Sequence, residues 1–167
     1  MYKILKTFHD LDCVFIEQEK SRRNVFVDGK RYFISMPKII FCIFFSKVGK
    51  NFYMEEINGW FFIGKKSYHM PFPNTYADGF ICLGNDFVEH NTIEGLISLT
   101  MNKFWNSIFK NDENSNYARE KYKGKMLYDF ELWEKKTKAD KKWVPRSFVE
   151  VEDEHKSYIF KTFLQGL

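Results

Sequence analysis

Two polar side chains with complementary chemistry stand eight positions apart in the stretch MPFPNTYADGFICLG, residues 70–84. Cys82 can carry an acyl group as a thioester, because a thiolate is both a good nucleophile and a good leaving group. Asn74 has an amide NH2 group that offers two protons to an oxyanion without titrating. A proline before Asn74 and an Asp-Gly pair between the two residues predict a stiff turn that brings the amide to the sulfur.

The same residues also have ordinary structural interpretations. Free cysteines are among the most buried residue types, so Cys82 is alternatively a core residue, and Asn74 after proline is a common turn former. His90 is a candidate base or polar gate, since imidazole titrates near neutrality, and alternatively a solvated residue just before a helix. Asp86 and Glu89 are candidates for attracting an incoming lysine amine, and alternatively belong to an exposed loop.

The remaining cysteines indicate core positions and a reducing compartment. Cys42 lies within the apolar run KIIFCIFF, and Cys13 begins the apolar run CVFI. Three cysteines cannot all pair, and their spacing is not that of a metal site. Reduced thiols are typical of a cytoplasmic protein. Neither a metal nor an organic cofactor is implied.

Length and composition predict one globular domain. The chain has 167 residues, of which 44% are hydrophobic and 29% are charged, so it can bury a core without disulfides. The longest apolar run is too short to span a membrane, and the first residues lack the apolar run of a signal peptide. The net charge of +4 supports a polyanion partner only weakly. The basic cluster KKTKADKKWVPR indicates a solvated helix end, and no nucleic-acid-binding motif accompanies it.

Residues 11–63 predict an antiparallel meander of about four strands. Alternation, β-branched and aromatic residues favour strands throughout this region, and KIIFCIFFSKV is typical of a strand buried on both faces. Two short motifs predict turns between apolar runs, Asp28-Gly29 within NVFVDGKRYFI and Asn58-Gly59 between NFYMEEI and WFFIG.

After residue 84 the periodicity becomes helical. Apolar residues from Thr92 to Phe109 recur with the spacing of one helix face, with Asn91 as the expected N-cap and Glu94 as its capping-box partner. A second helical region is expected from Tyr117 to Lys138. The apolar run from Tyr158 to Leu164 fits either a strand or a helix. Strands followed by helices predict the α+β class.

The segment FPNTYADGFICLG resembles the active-site segment of ubiquitin-conjugating enzymes. In that family a His-Pro-Asn triplet is followed, eight residues after the Asn, by the catalytic cysteine within a Gly-x-Ile/Val-Cys-Leu run. The order of a strand meander, an active-site loop, a central helix and C-terminal helices agrees as well. The resemblance covers about residues 11–138 of a single domain spanning 1–167, with 139–167 as a C-terminal extension. The matching residues are Pro73, Asn74, Gly79, Ile81, Cys82 and Leu83.

Three departures from the family pattern are visible. Phe72 stands where the triplet has its mainly structural histidine, so the loop must be supported differently. GNDFVEHN replaces the usual Trp-Ser/Thr-Pro run, and no amphipathic N-terminal helix, which normally docks the activating enzyme, is evident. These losses resemble the divergent bacterial members of the superfamily, found in ubiquitin-like conjugation operons and in mobile-element systems such as the PRTRC system B proteins.

The resemblance implies a carrier enzyme. Cys82 would accept the C-terminal glycine of a ubiquitin-like protein from an activating enzyme and pass it to an amine of a target protein, with Asn74 stabilising the oxyanion. A different class of function is a catalytically inactive protein-binding scaffold in a plasmid, phage or bacterial defence system. A third is a basic nucleic-acid accessory protein.

Overall fold

Strands dominate the first part of the chain and helices the second. The computed structural model describes residues 2–76, 78–84, 87–109, 129–145, 148, 150–153 and 156–166. Within these residues the strands are β1 (Tyr2–Phe8), β2 (Cys13–Gln18), β3 (Ser21–Val27), β4 (Lys30–Met36), β5 (Lys38–Val48), β6 (Asn51–Ile63), β7 (Lys66–His69), β8 (Glu89–His90) and β9 (Ile108–Phe109). The helices are α1 (Ile93–Asn106), α2 (Phe130–Ala139) and α3 (Tyr158–Gln165).

The strands form two sheets, which corrects the expected single meander. The main sheet is antiparallel, in the order β1-β2-β5-β6-β7 with β8 also paired to β6, and the second sheet has the order β4-β3-β9. The Asp28-Gly29 hairpin is confirmed, since Val27 pairs with Lys30 and both turn residues have positive φ. That hairpin leaves the main sheet, so β2 pairs directly with β5. The reason is burial, because β2 and β5 are buried on both faces whereas β3 alternates between buried and exposed positions.

The expected turn at Asn58-Gly59 is wrong, because β6 runs unbroken through both residues. Asn58 pairs with Cys42 on β5, in the middle of a continuous antiparallel ladder. A Cβ on Gly59 would lie 2.7 Å from Met70 Cε and 3.0 Å from Ile81 Cδ1. The glycine therefore allows close packing of the 70–84 segment against the strand, a role that glycine also has within strands.

Helix α1 confirms the predicted helix with shifted ends. Its N-cap is Thr92 rather than Asn91, and the Thr92 hydroxyl accepts a hydrogen bond from Gly95 N at 3.1 Å. Glu94 therefore does not stand at the capping-box position. The helix ends at Asn106 rather than Phe109, because the next residues form β9 and pair in parallel with β3.

Helix α2 covers the outer edge of the second sheet. Ser35 N donates to Thr137 Oγ1 at 3.2 Å, and Trp133 Nε1 donates to Ser35 O at 3.0 Å. Phe33 N donates to Glu134 Oε1 at 2.9 Å. Side chains of α2 thus satisfy backbone groups that an edge strand would otherwise leave open. The earlier part of the second predicted helical region falls largely on residues 110–128, which lie outside the described residues.

Helix α3 resolves the ambiguity of the last apolar run and covers the opposite face of the main sheet. Phe160 stacks on Trp60 with ring centroids 3.8 Å apart, and Phe163 stacks on Phe15 at 4.1 Å. Cys13 and Cys42 lie in this cluster and are buried. The other face of the sheet packs against α1 and the second sheet. Among the described helices, none is long and apolar enough to cross a membrane.

Candidate active site

The loop between β7 and β8 brings Asn74 and Cys82 together, as the spacing predicts. Cys82 N donates to Asn74 O at 2.9 Å, and Asn74 Nδ2 donates back to Cys82 O at 2.8 Å. A β-bridge between Thr75 and Ile81 closes the same narrow loop. The Asn74 amide therefore bonds the backbone carbonyl of Cys82 through one of its two protons.

The turn between these residues is fixed by Asp78 and Gly79. Asp78 Oδ1 accepts a hydrogen bond from Phe80 N at 2.9 Å, which is the geometry of an Asx-turn. Gly79 has a φ of 92°, and a Cβ at this position would lie 2.4 Å from the Trp60 ring. No other residue fits this position without strain and a clash.

Cys82 is exposed, while Cys13 and Cys42 are buried. Burial raises the pKa of the Cys42 thiol above its usual range, and the hydrogen bond from Cys42 lowers the pKa of Cys13. Both of these thiols are sealed beneath α3. Cys82 is therefore the cysteine that a protein donor can reach, which is the first requirement for a carrier thiol.

Phe72 supports the loop at the position of the family's histidine. Its side chain is fully buried and stacks on Phe109 with ring centroids 4.7 Å apart. Four other aromatic rings of the described residues have centroids within 6.5 Å of it: Phe61, Phe104, Trp105 and Phe130. Hydrophobic packing thus anchors the start of the active-site loop two residues before Asn74.

The loop then pairs with the free edge of β6 around Asn58. Ile81 N donates to Ile57 O at 2.9 Å, and Asn58 forms a bridge with Phe80. If this antiparallel register is extended by two residues beyond the bridge, Glu56 is the residue that faces Cys82 on the same side of the sheet. The sequence gives no signal for this neighbour, since it stands on a distant strand.

The carboxylate of Glu56 is held in place by a buried amide. Its Oε1 accepts a hydrogen bond from Nδ2 of Asn58 at 2.6 Å, and Asn58 is only 6% exposed. The strand has a β-bulge here, because the register with β5 shifts between Phe44 and Phe45. Bulges re-aim side chains and occur frequently next to active sites.

His90 lies at the entry to α1. Its Nδ1 accepts a hydrogen bond from Thr92 N at 3.0 Å and lies 3.0 Å from Thr92 Oγ1. Because a backbone N–H can only donate, Nδ1 is the acceptor and the neutral ring carries its proton on Nε2. The ring packs so tightly over the first turn of the helix that a Cβ on Gly95 would lie 2.0 Å from Nδ1. These contacts make His90 a partner of the helix start, with only Nε2 left for another role.

Of the two acidic residues that were candidates for attracting a lysine amine, the structure describes Glu89 but not Asp86. Glu89 is exposed on β8, where it pairs with Tyr53 of β6. Asp86 lies outside the described residues. Within the described ranges, no three His, Cys, Asp or Glu side chains are grouped so that they could hold a metal ion.

Comparison with known proteins gives one match. The model of the family described as Prokaryotic E2 family D matches residues 10–151, which include strands β2 to β9, the loop 70–84, α1 and α2 but not β1 or α3. No curated protein and no solved structure matches the chain.

Proposed function

The chain belongs to prokaryotic E2 family D, and from this premise we propose that it carries a ubiquitin-like protein as a thioester on Cys82. The observation that carries the proposal is the pairing of an exposed cysteine with the Asn74 amide in a rigid loop. A carrier thiol must be reachable by a bulky donor, and its oxyanion needs a fixed hydrogen-bond donor nearby. The exposure of Cys82 supports the first requirement, and we propose the second proton of the Asn74 amide as the donor for the second.

Loading is a transthiolation. The Cys82 thiolate attacks the carbonyl of the C-terminal glycine that the activating enzyme holds as a thioester. A carbon–sulfur bond to Cys82 forms, the bond to the activating enzyme breaks, and the activating enzyme's cysteine leaves as a thiolate. Neither a metal nor an organic cofactor takes part.

Discharge to a target amine makes use of Asn74. The neutral amine attacks the thioester carbonyl, and negative charge develops on its oxygen. The free proton of the Asn74 amide donates to this oxygen, an interaction worth about 3 kcal/mol in comparable sites. The carbon–nitrogen bond forms, the carbon–sulfur bond breaks, and Cys82 leaves as a thiolate. The surplus proton on the nitrogen passes to water or to a nearby carboxylate.

We propose Glu56 as the carboxylate that receives the amine. Two observations support this: the bridge between Asn58 and Phe80, extended by two residues, sets Glu56 on the same face as Cys82, and the Asn58 amide donates to the Glu56 carboxylate. A carboxylate beside the thioester raises the local concentration of an ammonium group and accepts the proton that attack releases. The exposed position of Glu56 leaves room for a lysine side chain.

The proposal is tested with a matching activating enzyme, its ubiquitin-like protein and ATP. We expect an ATP-dependent adduct on Cys82 that a reducing thiol removes. Cys82→Ser gives an oxyester that resists the thiol, since an alkoxide leaves less readily than a thiolate, and Cys82→Ala gives no adduct. Asn74→Ala loads normally and discharges to amines about 100-fold more slowly.

Glu56→Gln tests the amine-receiving carboxylate, and Glu55→Gln is its matched control. The Glu55 carboxylate is hydrogen-bonded to Ser46 on β5, on the side of β6 away from the loop. We expect slower discharge in Glu56→Gln alone, with loading unchanged in both variants. Equal effects of the two substitutions would remove Glu56 from the mechanism.

A non-catalytic scaffold is the second candidate function. The observation that favours it is the use of the Asn74 amide within the loop, where it bonds the Cys82 carbonyl as a purely structural asparagine would. The two functions differ in one result. If Cys82→Ala leaves the activity of the host system intact, the carrier function is refuted and the scaffold function is supported.

A further inference from the structure

A basic cavity lies apart from the active-site loop. Its volume is about 490 Å³, within the range of small-molecule sites. The walls come from the start of β3, the junction of β4 and β5, the end of β6 and the segment after α2. They are formed by Lys20, Ser21, Arg22, Ser35, Met36, Pro37, Ile63, Lys141, Lys142 and Val144. None of these residues belongs to the loop 70–84, so the cavity and the candidate active site are separate.

The charge of this cavity has one sign. Lys20, Arg22, Lys141 and Lys142 contribute four cations, and the described residues of the lining include no carboxylate. Among the described residues, none of the four side chains takes part in an ion pair. The chain as a whole nearly balances 26 bases against 22 acids, so four unopposed cations are a local feature. A cleft lined by one sign of charge concentrates ligands of the opposite sign.

Arg22 is the best-positioned donor in the cavity. Its guanidinium carbon lies 4.5 Å from the centre of the Phe33 ring, and this stacking fixes the plane of the group. Its Nε is buried without a hydrogen-bond partner among the described residues. A buried N–H of this kind is costly unless an acceptor is supplied. An anion bound in the cavity would supply that acceptor.

Hydrogen bonds hold the backbone of Lys141 and Lys142, the two lysines that follow α2, in place. Ser35 Oγ donates to Lys141 O at 2.7 Å, and Lys142 N donates to Asp140 Oδ1 at 2.9 Å. On the opposite wall, Ser21 Oγ accepts from Gln18 Nε2 at 3.2 Å, which leaves the hydroxyl proton free to donate. The remaining lining side chains are apolar: Met36, Pro37, Ile63 and Val144.

From this arrangement we propose that the cavity binds an organic phosphate, with its phosphate groups against Arg22 and the three lysines and its organic part against the apolar wall. Guanidinium and ammonium groups, together with a free hydroxyl, are the donors that phosphates take in proteins. Four cations suit a ligand with two or more phosphate charges. A nucleotide and a phospholipid headgroup share this chemistry, and the experiment separates the two sources.

The experiment is isothermal titration of the full chain with ATP and with inorganic pyrophosphate, without divalent cations. We expect one saturable site, tighter for ATP because pyrophosphate lacks an organic part. Arg22→Gln weakens binding at least about ten-fold, and Arg22→Lys weakens it too because lysine lacks the fork and the stacking. The matched control is Lys65→Gln, an exposed lysine in the β6–β7 turn outside the cavity, which leaves the dissociation constant unchanged.

Two further arms identify the ligand and guard against misfolding. Co-sedimentation with phosphatidylglycerol vesicles that depends on Arg22, in a chain that does not bind ATP, assigns the site to a lipid headgroup. Lys142→Gln repeats the test at a side chain whose loss leaves the packing on Phe33 intact. The proposal fails if no probe binds saturably, or if Lys65→Gln weakens binding as much as Arg22→Gln. It also fails if single-stranded DNA binds more tightly than ATP and loses affinity equally in both variants.

Discussion

Removing the Phe72 ring tests whether aromatic packing holds the active-site loop. The ring is fully buried against five aromatic neighbours. Phe72→Ala therefore leaves a cavity that these rigid rings cannot close, and the expected loss of unfolding free energy is about 3–5 kcal/mol. For a chain of this length, that corresponds to a fall in Tm of roughly 6–20 °C.

The matched control makes the same substitution at an exposed phenylalanine. Phe87 is 92% exposed, so Phe87→Ala changes the unfolding free energy by no more than about 0.5 kcal/mol. Urea and thermal unfolding of both variants measure the difference. A Phe72→Ala variant that loses less than about 1 kcal/mol refutes the assignment of Phe72 as an anchor.

A second measurement distinguishes anchoring of the loop from general stability. The Cys82 amide donates to Asn74 O, so its hydrogen exchange reports opening of the loop. In Phe72→Ala this amide exchanges faster by a larger factor than amides at the centre of β5, because the loop loses its nearest packed side chain. Equal acceleration at both places shows that Phe72 stabilises the whole domain without a specific effect on the loop.

Three further outcomes follow from individual contacts. Cys82 reacts with iodoacetamide in the native protein well before buried Cys42 does, and equal rates measured by mass spectrometry contradict the proposed accessibility. Gly59→Ala costs about 1–3 kcal/mol in urea unfolding, because its Cβ would lie 2.7 Å from a neighbouring side chain. Burial raises the pKa of Glu17, but the hydrogen bond and charge of Lys38 outweigh it and hold that pKa below the ordinary 4.5. The Glu17–Lys38 pair therefore stabilises the fold above pH 4.5, and this stabilisation is lost as the pH falls through the lowered pKa of Glu17. The unfolding free energy of the unsubstituted protein therefore exceeds that of Glu17→Gln by less in acid than at neutral pH.

Local signals in the sequence predicted local structure well. The turn at Asp28-Gly29 is predicted correctly. Both residues have positive φ, and few residue types adopt this conformation at two successive positions. Helix α1, which ends at Asn106, is predicted correctly because its apolar spacing extends over several turns. The pair Asn58-Gly59 gives the same turn signal as Asp28-Gly29, but the turn predicted there is wrong. Gly59 is needed within β6 because Ile81, a residue distant in the chain, packs closely against it.

Long-range features of the site could not be predicted in the same way. The spacing of Asn74 and Cys82 shows that a turn joins them, and the loop does fold back on itself. The neighbours of the loop on β6 depend on which strand edge the loop joins, and no residue near the loop specifies that edge. The departure of β3 and β4 into a second sheet is likewise a result of burial in the finished core.

The active-site loop is held by aromatic side chains on both sides of the main sheet. On one side Phe72 packs into the core, and on the other the Trp60 ring lies directly against Gly79 in the turn. Trp60 is in turn covered by Phe160 of α3, a helix that lies beyond the residues matched by the family model. A histidine in the place of Phe72 would support the loop through hydrogen bonds that depend on its protonation. Aromatic rings do not titrate, so this support of Cys82 is independent of pH and is lost only when the packing itself is disturbed.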